Sequence, residues 1–276
     1  MNKTKSSPLL ALTECSVMVA LATVLSMVKL IDLPYGGSIT VASMLPIVIA
    51  VYRHGGVYGI GVAAVNSLIQ LLLGMNALSY ATSWQAAVAI ILLDYVAAFS
   101  VFALCAVFKG RIKSQPVAMM FGVLLASCLR FLCHTVTGCT VWAGVSIPSG
   151  AAVAYSLSYN STYMIPETVI LLLATAYVFS AIDLSAKVPR RIATEKMSKG
   201  AAYCALSAGA AILAALIADV VLVFSKLQNE DTGELYWAGL AEVNYPLITV
   251  VSVTAIVVAA LLLIVASRIS RKTEKD

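Results

Sequence analysis

Long apolar runs alternate with short polar breaks along this chain, and the runs have the length of membrane spans. A hydrocarbon core about 30 Å thick takes about 20 apolar residues in a helix. Six runs reach that length: Leu9 to Leu30, Trp84 to Phe108, Pro116 to Val141, Ser161 to Ile182, Ala201 to Phe224 and Tyr245 to Ala266. Two shorter ones lie between the first and second of these. Ile39 to Tyr52, which holds Pro46, predicts a short or tilted span, and Val57 to Leu73 predicts another. The pattern predicts an all-α polytopic membrane protein of eight spans, because only helices or closed barrels satisfy their backbone in lipid.

Composition agrees. Hydrophobic residues make up 61% of the 276 residues and charged ones 11%, against about a quarter charged in an ordinary soluble domain. So little charge cannot cover a globule of this size, which excludes a soluble enzyme, a disordered chain and a nucleic-acid binder. The formal net charge of +5 is distributed as a topology signal. Lys3 and Lys5, Arg53, Lys109 to Lys113, Lys187 to Lys199 and Arg268 to Lys275 fall in alternate loops. Basic loops stay inside, so both termini are expected in the cytoplasm of a multi-pass cell-membrane protein, and an even number of spans closes the alternation. The first helix lacks a cleavage site and is expected to be retained. The organisation expected is a membrane domain over 1–182, a basic linker over 183–200 and a two-helix extension over 201–276. Among the outer loops, Leu33 to Ser38 and Val145 to Gly150, the latter within the loop Ala143 to Asn160, are expected to form compact covers. Six cysteines sit in apolar runs without a CxxC pair, which predicts buried thiols and neither a disulfide framework nor a metal site. No HExxH, GxSxG or phosphate loop is present, and no cofactor is implied.

Ionisable side chains inside lipid cost at least about 2.5 kcal/mol each and mark function or pairing. Six fall there: Glu14, Asp94, Arg130, His134, Glu167 and Asp219. At about 1.5 Å per residue, Asp94 lies about 15 Å below the outer surface, Arg130 about 18 Å and His134 about 12 Å. Arg130 and His134, four apart, share a helix face. An Asp94–Arg130 pair that only ties two helices together is one reading. The other is a small-molecule pocket, since Tyr95, Trp142, Tyr155, Tyr159 and Asn160 converge on the same outward half. A cationic or amine-bearing aromatic ligand suits that wall. Glu14 is expected to snorkel. Glu167 is expected to bond backbone freed by Pro166 or to line the pocket. Asp219 has no evident partner.

Tyr35-Gly36-Gly37-Ser38, Met44-Leu45-Pro46-Ile47, Leu93-Asp94-Tyr95, Leu129 to His134, Trp142 and Gly150 to Asn160 together resemble the thiamine-binding S-component of energy-coupling factor (ECF) transporters. The resemblance spans residues 9–182 and implies a six-helix S-component bundle, to which the last two spans are an addition. It implies a substrate-capture subunit that binds thiamine at an outward-facing site, then docks on a transmembrane coupling subunit driven by two cytoplasmic ATPases. By position, Asp94 would pair with the aminopyrimidine, with Tyr95, Tyr155 and Asn160 adding hydrogen bonds or packing. His134 and Trp142 would stack on the rings, and Arg130 would orient the acid or the hydroxyethyl tail. Tyr35, Gly36 and Gly37 would form the lid loop. Ser16 and Ala20 would give the first helix a small-residue face for the coupling subunit; ordinary packing inside the bundle is the other reading of that face. Asp94 and Arg130 depart from the family's usual Glu and Lys, which keeps the charges and changes their reach. The competing function is a stand-alone ion-coupled secondary transporter for thiamine or a related pyrimidine, with Asp94 or Glu167 as proton relay. An intramembrane enzyme is disfavoured, because no nucleophile accompanies His134.

Overall fold

The computed structural model describes residues 7–33, 36–81, 83–139, 150–192, 199–227 and 239–273. It divides into two compact units, Met1–Ile192 and Ala193–Asp276. Seven helices among the described residues are long and apolar enough to cross a membrane.

In the first unit, α1 (Pro8–Met27) opens with Pro8 in its first turn and Ser7 as cap, whose hydroxyl accepts from the Leu10 amide at 3.3 Å. Ala11, Cys15, Val19 and Ala22 turn inward, while Ser16 and Ala20 lie on the exposed face. The chain then leaves the helical form. Residues Lys29–Asp32 (β1) and Ser38–Thr40 (β2) pair as an antiparallel hairpin, with Lys29 opposite Thr40 and Asp32 opposite Ser38.

The expected span Ile39 to Tyr52 is therefore corrected. Its first residues are strand, and only Leu45–His54 (α2) is helical, started by Pro46 in the first turn. At about 1.5 Å per residue, ten residues reach about half-way across a bilayer. Such a half-helix must be surrounded by protein, and α2 is: Ile47, Val48 and Val51 are buried, with α1 and α3 (Gly56–Leu73) against it.

A 3₁₀ segment, Met75–Tyr80, leads to α4 (Trp84–Leu104). The middle of α4, Ile90–Ala97, is wound as a π-helix, a form that is rare and concentrates at functional sites. Asp94 and Tyr95 sit on it.

Next, α5 (Gln115–Thr137) packs on the end of α4 through Gly122. A Cβ on Gly122 would collide with the Cys105 carbonyl oxygen, so only glycine fits. Gly138 plays the same part against the Ser156 hydroxyl of α6 (Gly150–Ala181).

The helix α6 also differs from expectation. The outer loop expected over 143–160 is helix from Gly150 onward, continuous with the apolar run after it, and residues 145–149 of the expected cover lie outside the described residues. Its small polar side chains fold back on the helix: Ser158 Oγ donates to the Ala154 carbonyl and Asn160 Nδ2 to the Ser156 carbonyl, both at 2.8 Å. Polar groups satisfied this way do not break a helix. A two-residue ladder, Ile182–Asp183 (β3) with Arg190–Arg191 (β4), closes the unit.

The second unit is a pair of antiparallel helices, α7 (Lys199–Leu227) and α8 (Tyr245–Thr273), with Gly200 at the start of one against Ile269 at the end of the other. Asp219 of α7 has a partner that its sequence context did not reveal, since the Ser252 hydroxyl of α8 donates to Oδ2. Its Oδ1 is buried without a partner among the described residues.

Candidate functional site

Four ionisable side chains from three helices meet inside the first unit. Asp94 Oδ1 lies 3.0 Å from His134 Nδ1, Arg130 Nε donates to His134 Nε2 at 3.3 Å, and Arg130 Nη1 donates to Glu167 Oε2 at 3.0 Å. The direct Asp94–Arg130 pair weighed from the sequence does not form; the imidazole stands between the two. Glu167, expected to bond backbone freed by Pro166 or to line the pocket, turns to side chains and lines the cavity. Its Oε2 takes Arg130 and its Oε1 takes the Thr40 hydroxyl at 2.9 Å. Thr40, whose one hydrogen goes to Glu167, accepts from the Ser43 hydroxyl at 2.8 Å. The result is one hydrogen-bonded ladder from α4 through α5 and α6 to the base of the β1–β2 hairpin.

The ladder is well shielded. The four side chains keep 8–13% of their exposure, and Arg130 lays its guanidinium over the Phe99 ring at 4.5 Å. Chemistry fixes the imidazole's roles. A guanidinium cannot accept, so Nε2 of His134 is the acceptor and Nδ1 carries the hydrogen that Asp94 receives. Two carboxylates stand against one guanidinium, an arrangement that suits a cationic ligand.

Aromatic rings frame it. Tyr155, Tyr159, Tyr163 and Glu167 follow one another at four-residue steps along α6 and so share a face. Tyr155 and Tyr159 are stacked at 6.1 Å with 7° between planes, Tyr159 meets Tyr163 edge-on at 5.6 Å, and Tyr163 meets His134 at 6.4 Å. Asn160 is buried, with Nδ2 on Ser156 and Oδ1 accepting the Tyr163 hydroxyl at 2.7 Å. Tyr95 stacks on Phe99 and donates its hydroxyl to the Gly74 carbonyl at 2.9 Å. The hairpin reaches this wall directly, for the Gly37 amide donates to the Tyr159 hydroxyl at 3.1 Å. Gly36, exposed with φ of 96°, makes the turn beside it in the left-handed region that favours glycine. Tyr35 and Trp142 lie outside the described residues.

Beyond Arg130 and Glu167 lies a small cavity of about 10 Å³, room for about one water, lined also by Ser43, Phe102, Ser127 and Thr168. Thr40, Ser43, Phe99, Tyr163 and the anchoring role of Glu167 were missed from the sequence. The four-residue stripe on α6 carried the signal for Glu167 and Tyr163; nothing local marked Thr40.

A second cluster joins α1, α2 and the segment after α6. Glu14, expected to snorkel, instead takes Arg53 through both oxygens at 2.7 and 2.9 Å and His54 at 2.7 Å. Arg53 also donates to the carbonyls of Leu184, Ala186 and Lys187. No group of three or more metal-ligating side chains occurs among the described residues.

A family model described as thiamine transporter protein (Thia_YuaJ) matches residues 12–187, so α7 and α8 lie beyond it. The curated thiamine transporter ThiT of Bacillus subtilis (strain 168) is 29% identical over 191 residues, which cover 65% of this chain and 94% of the relative. A solved structure of ThiT from Listeria monocytogenes aligns at 20% identity with a TM-score of 0.49, covering 62% of this chain and 93% of the other.

Proposed function

This chain belongs to the thiamine transporter protein family, and from that premise we propose that it is the substrate-capture subunit of an ECF-type vitamin importer. Family membership makes it a multi-pass membrane transport protein and not an enzyme. In the proposed reading thiamine enters from outside and rests against the buried ladder. Asp94 pairs with the aminopyrimidine, His134 and Trp142 face the rings, and Arg130 takes the hydroxyethyl end. Tyr95, Tyr155 and Asn160 complete the wall, under a lid formed by Tyr35, Gly36 and Gly37. Both termini are cytoplasmic in this reading. The exposed side of α1, with Ser16 and Ala20, meets the transmembrane coupling subunit that two ATPases drive.

The observation that carries the reading is the ladder Asp94–His134–Arg130–Glu167, shielded from water and bearing more acid than base. A preformed pocket with a few fixed polar groups among rings is how small ligands are held, and a cationic ring is the partner that this charge balance favours.

Reconstitution separates this function from ion-coupled transport. Protein in liposomes should bind thiamine but move it only with the coupling subunit, both ATPases and ATP present. Uptake driven by a proton gradient with this chain alone would replace the proposal with a secondary transporter.

A further inference from the structure

We propose that Glu167 makes the site choose the free alcohol form of its vitamin and turn away the phosphate esters. The inference rests on the thiamine reading above and adds a specificity-determining residue to it.

Arg130 is the starting point. A guanidinium in a shielded site is a ready phosphate receptor, since its planar fork matches two phosphate oxygens at once. Here two of the three guanidinium nitrogens are already engaged. Nε serves His134, Nη1 serves Glu167, and among the described residues Nη2 makes no hydrogen bond. Arg130 lines the cavity together with Glu167, Ser43, Ser127 and Thr168. Three hydroxyls there offer both donors and acceptors, which is what an alcohol needs.

Glu167 then decides the sign of the charge. Its carboxylate, with 8% of the side chain exposed, stands 3.0 Å from the guanidinium and cancels it at close range. A phosphate ester carries about −1.5 to −2 at neutral pH. Brought up to Arg130 it would lie beside a shielded carboxylate, with little water to screen the repulsion between like charges. A hydroxyl meets no such penalty. The discrimination is built against the wrong ligand rather than for the right one. Both oxygens of this carboxylate are bonded, Oε1 by the Thr40 hydroxyl and Oε2 by Arg130, and the guanidinium alone suffices to hold it in place beside the ligand.

The test compares dissociation constants for thiamine and thiamine monophosphate, by calorimetry on the full-length protein in detergent. The wild type should bind the monophosphate at least about tenfold more weakly than thiamine. Glu167→Gln keeps the size and one acceptor oxygen and removes the charge. It should narrow that gap by about tenfold while thiamine affinity changes less. Thr40→Val removes a hydrogen bond and keeps the charge, so the ratio should stay as in the wild type. A ratio unaltered by Glu167→Gln overturns the proposal. If that variant does not fold, the wild type is titrated with O-acetylthiamine, whose ester group carries no charge. Binding about tenfold tighter than the monophosphate supports selection by charge, and equal rejection of the two esters overturns it. A wild type that binds no thiamine contradicts the transporter reading itself, and this proposal falls with it.

Discussion

Arg130 donates from Nε to Nε2 of His134 across 3.3 Å, and this contact dictates what the imidazole can offer Asp94. With Nε2 used as acceptor, the ring presents its Nδ1 hydrogen to the carboxylate 3.0 Å away. Two helices, α4 and α5, are thereby joined without a direct acid–guanidinium contact at Asp94, which stays oriented by a neighbour that carries no opposing charge in this tautomer.

The other end of the ladder should be the more sensitive to loss of one partner. Arg130→Met leaves the Glu167 carboxylate shielded without its guanidinium, and breaking such a pair costs about 3–5 kcal/mol. The double variant Arg130→Met with Glu167→Met removes both charges and should recover most of that loss. Thermal unfolding in detergent measures both. A double variant no more stable than the single one would contradict the pairing.

Helix packing at Gly122 gives a prediction independent of the ligand. A methyl group there collides with the Cys105 carbonyl, whereas one at Gly61 meets nothing within 4 Å. Gly122→Ala should destabilise the protein by about 1–3 kcal/mol. Gly61→Ala should be neutral or slightly stabilising by about 0.5 kcal/mol, as expected of an exposed helical site. Melting temperatures of the two variants, purified in parallel, check the contrast.

Arg53 spans α1 and the segment after α6 with a fork that lysine does not possess. Arg53→Lys should lower stability by about 1–3 kcal/mol through the lost carbonyl contacts. Thiamine affinity should stay within about twofold, because no residue of this cluster is shared with the ladder. Parallel melting curves and thiamine titrations of the variant measure the two effects, and an affinity loss as large as that of a ladder variant would mean that the two clusters are coupled.

Much of the architecture was legible in the sequence for a simple reason: in lipid a helix must bring its own apolar length, and that length is visible as a run. Where the chain avoids lipid the rule fails. Residues Ile39 to Tyr52 have the composition of a span, yet part of them is strand, because a hairpin on one side and surrounding helices on the other satisfy the backbone. Gly150 to Asn160 has the composition of a loop, yet it is helix, because serine and asparagine bond their own turn. The site was legible in part. Asp94, Arg130 and His134 were visible as charges in apolar runs, but their order in the ladder was not, since sequence spacing fixes shared faces and not the reach of side chains between helices. Glu14 was misjudged for the same reason, as its partners lie 39 and 40 residues away.

The last two helices lie outside the family match and form their own compact unit. A chain ended after Ile192 should therefore bind thiamine with affinity within about twofold of the full chain. Titration of the shortened protein checks this, and a large loss would tie α7 and α8 to the ligand site.

Titration of purified full-length protein with thiamine, hydroxymethylpyrimidine and riboflavin, beside the Asp94→Asn variant, tests the central claim most directly. Removing one member of a shielded, hydrogen-bonded charge pair costs 2 kcal/mol or more, so Asp94→Asn should weaken thiamine binding by roughly 30-fold or more. Expression and melting of the free protein should be nearly unchanged, and riboflavin should bind neither form. Equal thiamine affinity in the wild type and in Asp94→Asn would remove the acid from the site and contradict the account.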